Sequence, residues 1–412
     1  MLLLGVFLLL LFLYSLASQR LDQTIVTAPI VFTVAGMLVG SISPALRGTT
    51  VDVHVFLRLA ELGLVLLLFT DASRTNLNVL RSVRNLPMRL LSAGMLLTIL
   101  LGAVAAETVF PHLSMWEAAI LAALLAPTDA GLGQVIVKSP RVPLRIRQAL
   151  NVEAGLNDGL SVPFLLFFIA LATPGAEGGD ASLMQFILHQ LGFGTLVGLG
   201  IGLVGGRLLA LAHRKAWMAE SFRQVGVVAL PLLCLIASEL IGASMFIAAF
   251  VAGLALQIGF IGFKDESHHH NLEFAEEWGQ ILNLSVFFLF GLLVARNSRQ
   301  FDPASMLYAV LSLTVVRMLP VAVALVGARL SKATVVFLGW FGPRGLASIV
   351  LGLVFLEQEK HLPGETTIRL AVMMTVLISI FAHGLSAMPG IDLYARKIAS
   401  LDAAATEHRE AG

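Results

Sequence analysis

The chain has 412 residues, 57% of them hydrophobic and only 13% charged, with a mean hydropathy of +0.88. A soluble domain carries about 25% charged residues, so this composition excludes a water-soluble globular protein and points to a polytopic all-α membrane protein. The net charge of +1 names no partner, and the single cysteine, Cys234, excludes an intrachain disulfide without naming a redox compartment.

A helix needs about 20 mostly apolar residues to cross the hydrocarbon core, and by that measure the sequence predicts thirteen. The first run, MLLLGVFLLLLFLYSL, lacks the basic flank of a cleaved signal peptide and reads as a spanning helix over 2–17. Helices follow at 28–43 and 56–73; Glu61 in the third sits four residues beyond Leu57, a position that suits either an ion funnel or a dimer contact. The segment RTNLNVLRSVRNLPMR (74–89) reads as an amphipathic cytoplasmic connector, with Leu77, Leu80 and Val83 on one face. A fourth helix is predicted at 88–106.

The fifth, 116–137, contains APTDAG, with Pro127, Thr128 and Asp129 near its middle. Proline removes a backbone donor and clashes with the preceding turn, and a broken helix in a bilayer is tolerated only where its freed groups are buried in protein or line a cavity. The sixth, 149–172, carries NVEAGLNDG. Each ionised carboxylate near the bilayer centre costs roughly 2.5–3.5 kcal/mol, so intramembrane Glu153 and Asp158 read as an ion or proton path. Glu153 and Asn157 are four apart and share a face, while Asp158 is turned about 100° further on. One carboxylate can therefore be neutralised by a fixed arginine while the other exchanges ligands, with Asn157 adding hydrogen bonds but no titrating charge.

Helices are predicted next at 183–211, 223–241 and 243–260; the last two are separated only at Ile241-Gly242-Ala243, and merging them would give twelve. In the loop GFKDESHHHNLEFAEE, His268-His269-His270 titrate near neutrality and suit a pH sensor, but three histidines in a charged loop are more often simply solvated. The remaining helices are 277–295, 304–328 with Arg317, 334–356 with Gly342, Pro343 and Arg344, and 367–390. Residues 391–412 read as a short cytoplasmic tail, leaving a transporter domain over 1–390 and no soluble regulatory domain.

Alternate connections carry eighteen lysines and arginines against six on the other side, which by the positive-inside rule puts the N-terminus outside and the C-terminus in the cytoplasm. If 1–172 and 223–390 are six-helix repeats joined by the odd linker helix 183–211, they are inverted, and the broken fifth helix corresponds to the broken twelfth. Paired broken helices in two halves point to a transport site near the midplane.

At this point the residues carry a family resemblance. Pro127-Thr128-Asp129, Glu153 followed by Asn157-Asp158, and Arg344 in Gly-x-Arg-Gly resemble motifs of the monovalent cation:proton antiporter family, in its NhaP-type sodium/proton exchanger branch. AELGLVLLLFTDA (60–72) and MFIAAFVAGLAL (245–256) are similar to it too, and the resemblance runs from about 25 to 390. It implies a homodimer in the lipid of a bacterial inner membrane, without cofactor or nucleic acid, exchanging H⁺ for Na⁺, K⁺ or Li⁺ by alternating access, with Asn157 marking electroneutral exchange. It further implies that Asp158 binds cation or proton, assisted by Thr128 and Asp129. Glu153 would be braced by an arginine, Arg317 ahead of Arg344, and Arg344 and Asp129 would belong to the crossing of the broken helices. Two departures matter: Ala154 stands where some members have serine, and Thr70 follows Phe69 where some have glutamate, with Asp71 next. Fewer strong ligands leave sodium selectivity open, and potassium becomes a candidate.

Other classes fit less well. An intramembrane aspartyl protease with Asp129 and Asp158 as its dyad lacks the Gly-x-Gly-Asp pattern, and a channel lacks a filter sequence. A sodium-coupled symporter for an organic anion, the main alternative, needs a roomier polar cavity.

Overall fold

Backbone groups in hydrocarbon must be hydrogen-bonded within the protein, which leaves helices and closed barrels as spanning structures. The computed structural model describes residues 2–21, 24–42, 53–74, 85–173, 183–259, 268–357, 362–400 and 407, and its regular elements among these are all helical. In chain order they are α1 (Leu2–Leu21), α2 (Ala28–Ile42), α3 (Val53–Arg74), α4 (Asn85–Val109), α5 (Met115–Leu124) and α6 (Ala130–Lys138). Then come α7 (Leu144–Ala172), α8 (Leu183–Arg214), α9 (Glu220–Ile241), α10 (Met245–Gly259) and α11 (His268–Asn297). The last are α12 (Pro303–Leu313), α13 (Val315–Ala324), α14 (Lys332–Trp340), α15 (Leu346–Glu357) and α16 (Glu365–Ala399). Among the described residues eight helical stretches are long and apolar enough to cross a membrane, and α2, α5, α10 and α15 are shorter apolar helices.

Local signals explain several ends. Ser114 and Glu117 form a reciprocal capping box at the start of α5, and Asp302 accepts from the Ser305 N–H at 2.8 Å to start α12. Gly242 takes the left-handed conformation (φ 64°) that closes α9 before α10 begins at Met245. Hydropathy alone misplaces other ends: α11 starts at His268 rather than 277, and α16 continues through Pro389 to Ala399, because both helices continue into polar sequence. The connector expected at 74–89 lies mostly outside the described residues, as does the segment before His268.

The helices pack as two groups: α2, α3 and α8–α11 on one side, α4–α7 with α12–α16 on the other. In lipid no hydrophobic effect drives helices together, so small residues that permit close backbone approach take that role. Gly194, Gly198, Gly202 and Gly206 form a stripe along α8, lying against Ser244, just before α10, and Ala248, Ala252 and Leu256 of α10 at the same four-residue spacing. The groups meet at α7, where Gly155 and Gly159 accept Phe250 and Ile247 of α10. α1 lies at the edge, with Phe7 buried and Leu4, Leu8, Leu9 and Phe12 exposed as a lipid-facing surface requires.

Candidate ion-binding site

The fifth and twelfth predicted helices are both interrupted, α5 giving way to α6 across 125–129 and α14 to α15 across 341–345. The unwound stretches touch: the Asp129 N–H donates to the Pro343 carbonyl at 2.8 Å. Asp129 caps both following half-helices, its Oδ1 accepting from the Leu132 N–H at 3.0 Å and its Oδ2 from the Leu346 N–H. A carboxylate there meets the positive ends of two helix dipoles. Arg344, fully buried, does the converse: its Nη1 donates to the carbonyls of Ala126 (3.0 Å) and Pro127 (2.9 Å) beyond the C-terminus of α5. Glycine is required on either side, since a Cβ at Gly345 would collide with the Asp129 carboxylate and one at Gly342 with the Arg317 guanidinium.

Glu153 and Arg317 are both buried, and Arg317 Nη1 donates to Glu153 Oε1 at 2.6 Å. Arg317, not Arg344, is therefore the partner of Glu153. One turn along α7, Asn157 Nδ2 donates to Thr128 Oγ1 at 2.8 Å, tying α7 to the break. Asn157 Oδ1, Asp158 Oδ1 and Glu153 Oε2 are buried and receive no hydrogen bond. Burying acceptors without donors is costly, and a proton or a hard cation suits such oxygens.

The charge inventory sharpens this. Glu153 is matched by Arg317, while Asp129 is held by backbone N–H groups and Arg344 by backbone carbonyls. Asp158 is left with no fixed cation in contact among the described residues. At the break, beside Asp129, a void of about 10 Å³, lined by Thr128, Asp129, Asn151, Ala154, Phe341 and Pro343 among others, approaches the space of one water molecule. Ala154 contributes no oxygen to it.

Sequence reasoning missed several residues. His383 of α16 has Nε2 2.9 Å from the Trp340 carbonyl and Nδ1 3.0 Å from Ser379 Oγ, which accepts from the Arg344 N–H at 2.7 Å. This chain holds the unwound end of α14, and no local pattern announces it. A cavity of about 480 Å³ separates the two groups near the Lys138 end of α6; Tyr14, Ala28, Gln134, Lys138, Gln280, Asn283 and Ala387 are among its walls. Glu276, Gln280 and Asn283 were legible as a polar stripe at i, i+4 and i+7 of α11. At the opposite end, Arg58 pairs with Glu61 (3.1 Å) and Glu239 (2.8 Å), and His54 with Glu357 (3.1 Å). His268–His270 form the backbone start of α11, and their side chains are outside the described residues.

The profile described as "Sodium/hydrogen exchanger, transmembrane" matches residues 6–390. The chain belongs to this family. An Na(+)/H(+) antiporter of Schizosaccharomyces pombe is 26% identical over 311 residues, covering 68% of this chain and 65% of that protein. The K(+)/H(+) antiporter NhaP2 of Shewanella sp. (strain ANA-3) is 25% identical over 379 residues, covering 91% of this chain and 63% of that protein. The chain thus spans a little under two thirds of the length of either relative. Among solved structures, the sodium proton antiporter MjNhaP1 of Methanocaldococcus jannaschii at pH 8 superposes with a TM-score of 0.79 at 18% identity, over 97% of this chain and 99% of that one. This member of the family therefore shares the NhaP fold and is an integral membrane protein of a transporter family.

Proposed function

We propose that this exchanger-family protein is a secondary antiporter that trades protons for a monovalent cation, Na⁺ or K⁺, one for one. Asp158 carries the reading: it is the one carboxylate at the crossing that lacks both a fixed counter-charge and, at Oδ1, a hydrogen-bond donor. A site with one uncompensated negative charge is neutralised by one proton or one monovalent cation, and the neutral forms cross the low-dielectric interior at far lower cost than the ionised one. Thr128, Asn157 and backbone oxygens of the break complete the oxygen shell, while Asp129 serves as the double cap. The relatives named as Na(+)/H(+) and K(+)/H(+) antiporters support the reaction class and leave the cation open between the two.

In this reading thirteen helices cross the membrane as inverted repeats over about 1–172 and 223–390, with 183–211 as linker and 391–412 as tail. The protein is a homodimer in a bacterial inner membrane, N-terminus outside and C-terminus cytoplasmic. The vestibule by Lys138 then opens to the cytoplasm, and the contacts of Arg58 and His54 with Glu61, Glu239 and Glu357 close the outer side. Everted vesicles from an antiporter-deficient host test it: an acridine dye dequenches on adding Na⁺ or K⁺ with wild type and stays quenched with Asp158→Asn. Exchange retained by that variant removes Asp158 from the mechanism.

A further inference from the structure

We propose that Asn283 is a selectivity-determining residue of the cytoplasmic path, its amide oxygen replacing part of the hydration shell of the cation before it reaches Asp158; this rests on the antiport reading above. Asn283 is only 7% exposed, lines the vestibule, and its Oδ1 receives no hydrogen bond. A polar side chain buried this deeply without a donor needs a compensating partner, and an acceptor oxygen facing an ion path suits a cation.

Neighbouring groups narrow the role. At the mouth of the same stripe Glu276 is already engaged, accepting from Lys138 Nζ (3.2 Å), Gln280 Nε2 (3.1 Å) and Arg74. The oxygen left uncommitted further in is Asn283 Oδ1. At the inner end Gly131 lets α11 approach the crossing: a Cβ there would stand 3.0 Å from Asp129 Oδ1 and 3.1 Å from Asn283 Nδ2. The amide thus lies beside the carboxylate that caps the break.

Asn283 and Asp158 belong to different helix groups. A relative movement of the groups withdraws the amide from the path, so it serves cations entering from this side. A carboxamide does not titrate in this range, so it acts on the cation and leaves proton binding alone. It also discriminates, because surrendering water costs Li⁺ most, then Na⁺, then K⁺.

The test compares wild type with Asn283→Leu and Asn283→Asp in everted vesicles, titrating LiCl, NaCl and KCl at several pH values. Leucine is expected to raise the half-saturating concentration of the transported cation several-fold and to change the ratio between cations, with the pH profile and maximal rate unaltered. Aspartate, which retains an oxygen, restores half-saturation. Wild-type half-saturation and cation ratios in Asn283→Leu overturn the proposal, and so does a loss of maximal rate alone, which a packing defect produces. Should leucine prevent folding, Asn283→Ala, which also lacks the oxygen, is read by the same criteria.

A wild type that exchanges no cation defeats the antiport reading instead. The Asn283 proposal is then decided by thermal stabilisation of the purified full chain in LiCl, NaCl or KCl against choline chloride. A higher cation concentration needed for half-maximal stabilisation in Asn283→Leu supports it, and identical concentrations or no cation effect overturn it.

Discussion

At the scale of single residues, the buried pair of Glu153 and Arg317 offers the clearest test of structure against transport. Removing one partner of such a pair leaves an uncompensated buried charge and costs about 3–5 kcal/mol, whereas replacing both with apolar groups is often neutral. Glu153→Ala should therefore lower the melting temperature and the membrane yield, and Glu153→Leu with Arg317→Met should recover most of the loss. A single variant as stable as wild type would show that the contact at 2.6 Å contributes little. Asp158 behaves oppositely: with no donor on Oδ1, Asp158→Asn removes the exchanging charge and leaves the fold intact. The motif NVEAGLNDG displays both carboxylates, but it does not display their difference. Helical geometry separates their directions, and only the arrival of Arg317 from a distant helix assigns one of them a partner.

At the scale of elements, the α8–α10 seam and the C-terminal latch each make a prediction. Gly202 meets the backbone of Ala252, whereas Gly200 on the same helix has nothing within 4 Å of a built Cβ. Overpacking costs about 1–3 kcal/mol, so Gly202→Val should lower the thermal midpoint in detergent while Gly200→Val stays near wild type. Equal midpoints would mean that the seam tolerates separation. At the other end, Glu407 is buried and accepts from the Ser331 N–H (2.7 Å) and Thr334 Oγ1 (2.8 Å) at the start of α14. Burial pushes its carboxyl up, but these hydrogen bonds outweigh it and hold the group below the ordinary glutamate value. A depressed carboxyl contributes stability that is complete above the unfolded-state value and disappears as pH falls through the folded one. Glu407→Gln should thus lower the midpoint at pH 7 and converge with wild type in acid, measured by thermal scans at both pH values. A gap independent of pH would assign the contact to packing.

For the whole molecule, the proposed antiport cycle has the two helix groups move relative to each other. Ala28 of α2 and Ala387 of α16 both line the vestibule and belong to different helix groups, and the native Cys234 is fully buried. A short bifunctional thiol reagent bridging Ala28→Cys and Ala387→Cys should therefore stop exchange, with recovery on using a cleavable reagent and reducing it. Exchange that continues at full rate in the bridged protein would argue against movement between the groups.

How much of this was legible beforehand divides along physical lines. The helical class, the membrane setting and the two breaks at Pro127 and Pro343 follow from the sequence, because hydropathy, proline and the demand for paired backbone groups in lipid act within one segment. The separation at Gly242 follows as well, since a left-handed cap needs only its own turn. The choice of Arg317 over Arg344, which the family resemblance favoured but no residue pattern fixed, the double cap by Asp129, the support from His383 and the vestibule wall at Asn283 are different. Each joins residues far apart in the chain, and in every case the deciding quantity is the approach of one helix to another. That approach is set by side-chain volume across the seams, so the tertiary structure alone decided that Arg317 matches Glu153, that backbone donors hold Asp129, and that Asp158 Oδ1 is left without a donor.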